Sequence, residues 1–79
     1  MYIQITIDLH NYNGDVFDLR LSNYLPVKKA AEIAWQLKGI KDEPREGCWV
    51  RIVNKEKVCP GDWTLQESGI TTGDRLEIL

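Results

Sequence analysis

Residues 64–79, TLQESGITTGDRLEIL, decide how the rest of the chain is read. Thr64 can cap a short helical turn, with Glu67 three residues on as its reciprocal capping-box partner. Thr71-Thr72-Gly73 then turns the chain. From Asp74 onward the residues alternate, with Leu76 and Ile78 facing one side and Arg75, Glu77 and Leu79 the other. Such alternation marks a strand with one face in a core. The sequence ends on that strand, at Leu79.

Working back, CWVRIVN (residues 48–54) alternates too, with Val50 and Ile52 inward and Trp49, Arg51 and Val53 outward. A two-residue hairpin loop at Lys55-Glu56 returns the chain through KVC (57–59) and sets Cys59 opposite Ile52. KDEPREG (41–47) is a charged, turn-rich connection. The period changes in LPVKKAAEIAWQLKGI (25–40). Val27, Ala30, Ile33, Ala34 and Leu37 share one helical face, and Lys28, Lys29, Glu32 and Gln36 lie opposite. Pro26 suits the first turn. Gly39 suits a left-handed stop, with Ile40 folding back on the helix end. At the start, Ile3, Ile5, Ile7 and Leu9 alternate with Gln4, Thr6 and Asp8. Asn13-Gly14 supplies the positive φ of a tight hairpin turn. VFDLRLS (16–22) follows, with Phe17, Leu19 and Leu21 inward and Asp18 and Arg20 exposed. The expected order is β-β-α-β-β-β, an α+β fold without linkers or repeats.

The 79 residues are enough for one small domain, residues 1–79. Hydrophobic residues make up 43% and charged residues 28%, too apolar for disorder. A net charge of −2 lacks the basic excess of a nucleic-acid binder. Apolar runs are only a few residues, far below the roughly 20 needed to span a bilayer, and MYIQITIDLH has no signal-peptide pattern. Both features point to the cytoplasm, without direct membrane insertion. Two cysteines do not make a disulfide framework, and a reduced pair fits that compartment.

The element order matches the ubiquitin-like β-grasp, a mixed sheet curled around one helix. TLQESGITTGDRLEIL resembles the TL…GI..GD.L.L ending common in ubiquitin-like domains. More narrowly, the chain is similar to the YukD/EsaB family of small bacterial ubiquitin-like proteins. MYIQITIDLHNYNGDVFDLRLSNYLPVKKAAEIAW carries that likeness, with its NYNG turn, the YLP lead-in to the helix and the GDRLEIL ending. The resemblance covers nearly the whole chain. It implies an accessory component of the type VII (Esx/WXG100) secretion system of Gram-positive bacteria. Its partner would be a cytoplasmic part of a membrane secretion complex, which could recruit it to the inner face of the membrane.

No constellation for catalysis emerges. His10 is the single histidine and reads as a solvated turn residue. The paired spacings of a zinc site are missing. In the expected register Cys48 lies four residues along the strand from Cys59, more than about 13 Å, too far for a disulfide or a shared metal. ESGITTGD matches neither a nucleophile elbow nor a P-loop. The reading is therefore no enzyme, no cofactor and no metal. The alternative is a ubiquitin-like modifier or sulfur carrier activated at its C-terminus. Such proteins extend past the last strand into a mobile Gly-Gly tail. Here the terminal carboxylate belongs to Leu79, and presenting it means peeling Ile78 and then Leu76 from the core. That costs about 1.5–3 kcal/mol each, against about 5–15 kcal/mol for a whole small domain.

What is left is surface. In the usual β-grasp order the outer face sets Gln4, Thr6 and Asp8 beside Arg75, Glu77 and Leu79, and those beside Trp49, Arg51 and Val53. Tryptophan and arginine are the types enriched at binding hot spots. Trp49, Arg51, Arg75, Glu77 and Leu79 are accordingly the expected protein-binding patch, against the plain reading that Trp49 only shields the sheet. Trp35 on the helix flank and Trp63 in PGDWTL read as lids on the core. Two exposed tryptophans would argue for a partner or a weak homodimer.

Overall fold

Ile3, Ile5, Ile7 and Leu9 are all buried. The first three lie on β1 (Tyr2–Asp8), which pairs antiparallel along its whole length with β2 (Val16–Ser22). In the computed structural model, described over residues 1–41 and 46–79, these strands are followed by α1 (Val27–Lys38), β3 (Val50–Ile52), β4 (Lys57–Cys59) and β5 (Arg75–Ile78). The strands form a mixed sheet in the order β2-β1-β5-β3-β4. β5 runs parallel to β1 and antiparallel to β3. With α1 packed on one side, this is the ubiquitin-like β-grasp that the element order implies. Four residues of the KDEPREG connection, 42–45, lie outside the described residues.

The helix begins one residue later than the sequence suggests. Pro26 is its N-cap, extended at φ −63 and ψ 149, and bridges to Thr64. No side chain caps this end. Instead the Val27 N–H donates to the Trp63 carbonyl (2.8 Å) and the Lys28 N–H to the Gly61 carbonyl (2.9 Å). The amides that any helix start leaves unpaired are thus taken by the segment just ahead of the Thr64 turn. That turn has the expected capping box: the Thr64 N–H donates to Glu67 Oε1 and the Glu67 N–H to Thr64 Oγ1, both at 3.0 Å. Gly39 closes the helix in the left-handed conformation, φ 60 and ψ 34. The Ile40 N–H reaches back to the Trp35 carbonyl (3.2 Å).

Three expectations need correction. The buried helical face is Val27, Ala30, Ala31, Ala34 and Trp35, whereas Leu37 is 61% exposed and Ile33 only half-buried. Measured from Val27, Trp35 and Leu37 lie about 80° to either side of the stripe by the 100° step, so periodicity cannot choose between them. Tyr12 chooses: its ring meets Trp35 edge-on at 4.6 Å and 74°. The same residue widens the first hairpin. Gly14 has the expected positive φ of 85, but the chain closes between Leu9 and Asp15 (2.8 Å), not in a two-residue turn.

The β3–β4 loop is also longer than expected. Val53–Lys55 forms a single 3-10 turn and Glu56 takes φ 52, so Cys59 faces Val50 and Lys57 faces Ile52. The loop is held by β5. Asn54 Oδ1 accepts the Arg75 N–H (2.9 Å) and Asn54 Nδ2 donates to Asp74 Oδ1 (2.8 Å). This register places Cys48 two residues from Val50, the residue facing Cys59. The expected wide separation along the strand therefore does not hold; both thiols are free.

Asp74, nearly fully buried, gathers this corner. It receives the Lys55 ammonium (2.8 Å), the Asn54 amide and the Thr71 N–H (2.9 Å). Burial pushes its carboxyl up, but the bonds from Lys55, Asn54 and Thr71 outweigh burial and hold it below its ordinary 3.8. A carboxyl depressed in the folded state stabilises fully above its unfolded value, and the contribution is lost as pH falls through the lowered one. Asp74→Ala should cost about 2 kcal/mol by stranding three donors. In urea titrations below pH 3.8, the midpoint of Asp74→Asn should fall less steeply than that of the parent protein.

Candidate protein-docking surface

The outer sheet face carries the side chains that alternate away from α1. Across its middle, Thr6 faces Arg75, Asp8 faces Glu77, and Glu77 faces Arg51. Two carboxylates so close together need cations. Arg75 directs Nε (3.1 Å) and Nη2 (2.8 Å) onto Asp8 Oδ2. The other Asp8 oxygen accepts the His10 N–H (3.0 Å) and faces His10 Nδ1 (3.1 Å). His10 Nε2 lies 3.3 Å from Glu77 Oε2, and Arg51 Nη1 lies 3.5 Å from Glu77 Oε1. Asn11 Nδ2 donates to Glu77 (3.2 Å) and to the Ile78 carbonyl (3.0 Å). His10 is the solvated turn residue that the sequence suggests, and from that turn its ring also reaches both carboxylates.

These bonds make the centre of the face a structural network. Burial pushes the Asp8 carboxyl up, but the bonds from Arg75 and His10 and the Arg75 charge outweigh it and leave it below 3.8. Glu77 is only 8% exposed. Of the patch expected from sequence, Arg75 and Glu77 are joined to their neighbours in this network. Leu79 is tied through its backbone: its N–H donates to the Trp49 carbonyl (3.1 Å), and its main-chain oxygen accepts the Tyr12 hydroxyl (2.6 Å).

Trp49 and Arg51 are different. Trp49 is 46% exposed, and its ring lies over Gly47, where a Cβ would come within 2.7 Å of Nε1. Gly47 also needs its φ of 85, so the glycine makes room for the indole. Val58 faces Arg51 across the β3–β4 pair, diagonal to Trp49, and Val53 opens the 3-10 turn that follows β3. Both valines are exposed. Trp49, Val53 and Val58, the Trp49 strip, are thus three exposed apolar residues at the β3–β4 end of the sheet, about the half-exposed Arg51 guanidinium. Either register puts Val58 on the outer face, opposite Val53 in the expected one and opposite Arg51 in the structure, so alternation along KVC could have added it to the expected patch. Trp63 is not a lid: it is 45% exposed. Among the described residues no group of three His, Cys, Asp or Glu side chains could hold a metal ion.

The comparisons agree with this fold over the full length. The family model described as "WXG100 protein secretion system (Wss), protein YukD" matches residues 2–78. The chain is also 63% identical over 79 residues to the "ESX secretion system protein YukD" of Bacillus subtilis (strain 168), covering all of both chains. The chain belongs to the YukD family of ubiquitin-like proteins.

Proposed function

We propose that the protein is a non-catalytic docking component of an ESX secretion system. It acts in the cytoplasm and binds a cytoplasmic part of the membrane-embedded machine. The observation that carries this reading is the Trp49 strip. A half-exposed tryptophan with two exposed valines and an arginine has the composition of a binding hot spot, while the neighbouring charges are bonded to one another. Among the described residues no helix is long and apolar enough to cross a membrane, so a protein partner supplies recruitment to the inner face.

The proposal includes no conjugation through Leu79. Its amide and main-chain oxygen are both hydrogen-bonded, and the adjoining Ile78 is buried. An activating enzyme would have to release those bonds and lift Ile78 from the core. An adenylating enzyme that exchanged pyrophosphate in response to this protein would contradict that part of the proposal.

Trp49→Ala should weaken binding to the cytoplasmic portions of the secretion machine at least tenfold, about 1.4 kcal/mol, with little change in melting temperature. Calorimetry of binding and thermal unfolding read the two effects separately. Arg51→Ala should follow the same pattern more weakly. Arg75→Ala should do the opposite, lowering the melting temperature by stranding the buried Asp8 carboxylate and leaving affinity nearly unchanged. Full binding by Trp49→Ala contradicts the assignment.

A further inference from the structure

The edge of the sheet opposite the Trp49 strip is β2, paired among the described residues with β1 alone. It runs seven residues in unbroken register, VFDLRLS, with no proline, lysine or bulge. Those are the devices that usually keep an edge from pairing with another chain. The Asn23 N–H donates to the Met1 carbonyl and the Leu9 N–H to the Asp15 carbonyl. Odd-numbered residues of β2 therefore face β1, and the backbone groups of Val16, Asp18, Arg20 and Ser22 point to the open side. The Ser22 carbonyl also accepts the Leu25 N–H (3.2 Å), so Asp18 and Arg20 form the centre of the free edge.

Those two side chains are opposite charges two residues apart on the outer face. Asp18 accepts from the Thr6 hydroxyl (2.8 Å) and the Gln4 amide (3.4 Å), and the Arg20 guanidinium lies 5.8 Å from the centre of the Tyr2 ring. Neither has an ion-pair partner among the described residues. We propose that β2 is a self-complementary edge that pairs antiparallel with β2 of a second copy, about a two-fold axis at Leu19.

The register follows from charge. With Leu19 opposite its own copy, Asp18 faces Arg20 of the second chain twice, and Val16 faces Ser22 twice. The two Asp18–Arg20 pairs have backbone groups free to exchange hydrogen bonds, whereas the Ser22 carbonyl already accepts the Leu25 N–H. On the inner face Leu19 meets Leu19 and the half-buried Phe17 meets Leu21. Sliding by one allowed step sets Asp18 against Asp18 or Arg20 against Arg20, like charges directly opposite. A single register therefore satisfies both the backbone and the charges. Because β2 and β4 are opposite edges, the dimer would carry a Trp49 strip at each end and bind a repeated partner with two sites.

Sedimentation of the full chain from about 10 μM to about 1 mM should show a reversible monomer–dimer equilibrium. Asp18→Arg alone and Arg20→Asp alone should each weaken self-association at least tenfold. An equimolar mixture of the two variants should regain it, since the reversed charges then oppose each other correctly. Amide exchange on the unmodified protein gives a second reading that needs no variant to fold. Asp18 and Arg20 should gain protection as concentration rises, whereas Phe17, Leu19 and Leu21, already bonded to β1, should not. A chain that stays monomeric throughout overturns the proposal and leaves the edge to a strand from another protein. Single variants that dimerise like the parent, or a mixture no better than either alone, overturn it as well.

Discussion

β5 joins two halves that, among the described residues, otherwise share no strand pairing. It is the last strand in sequence and the middle one in space, between the β1–β2 hairpin and the β3–β4 hairpin. Leu76 and Ile78 are buried beneath it, and Glu77 is nearly buried above it. A strand covered on both faces must have its polar groups bonded. Arg51 and Asn11 do that for Glu77, while Arg75 does it for Asp8 on the neighbouring strand. Asp74 and Asn54 fix where β5 begins, and Tyr12 and Trp49 hold Leu79 beyond its end. The position of Trp49 on the surface thus depends on the strand beside it.

This explains why part of the outer face serves the fold and part is free. Charged residues on a sheet face resemble a binding surface when only their alternation is known. In the structure, the Asp8, Arg75 and Glu77 side chains are fastened in one network. The residues still open to another protein lie toward the two edges: Trp49, Arg51, Val53 and Val58 on one side, Asp18 and Arg20 on the other. On the first side exposed apolar groups flank Arg51, which also reaches Glu77, and on the second stand two charges without an ion-pair partner among the described residues, next to backbone already fixed by the sheet. Such anchors lose little conformational freedom on binding.

Much of the fold is legible in the sequence because period and punctuation agree. The isoleucines of β1, the Gly39 helix stop, the Thr64–Glu67 capping box and the inward Leu76 and Ile78 all occur where local rules place them. The misread features depend on distant partners. Tyr12 decides between Trp35 and Leu37, and Asn54 with Asp74 decides the β3–β4 register. His10 is the turn residue expected, but its place 3.3 Å from Glu77, distant in sequence, is one that no local pattern records. Among the expected site residues, Trp49 and Arg51 keep an open surface. The network holding Arg75 and Glu77 becomes visible only once β1, β5 and β3 are side by side.

The central claim is that binding resides on the β3–β4 edge and not in the charged centre of the face. NMR titration of isotopically labelled protein with the cytoplasmic portions of the secretion machine's membrane proteins tests it directly. The Trp49 indole and the signals of Arg51, Val53 and Val58 should shift together, with Asp8 and Glu77 little changed. Shifts confined to α1, with the Trp49 indole unmoved, would contradict the account.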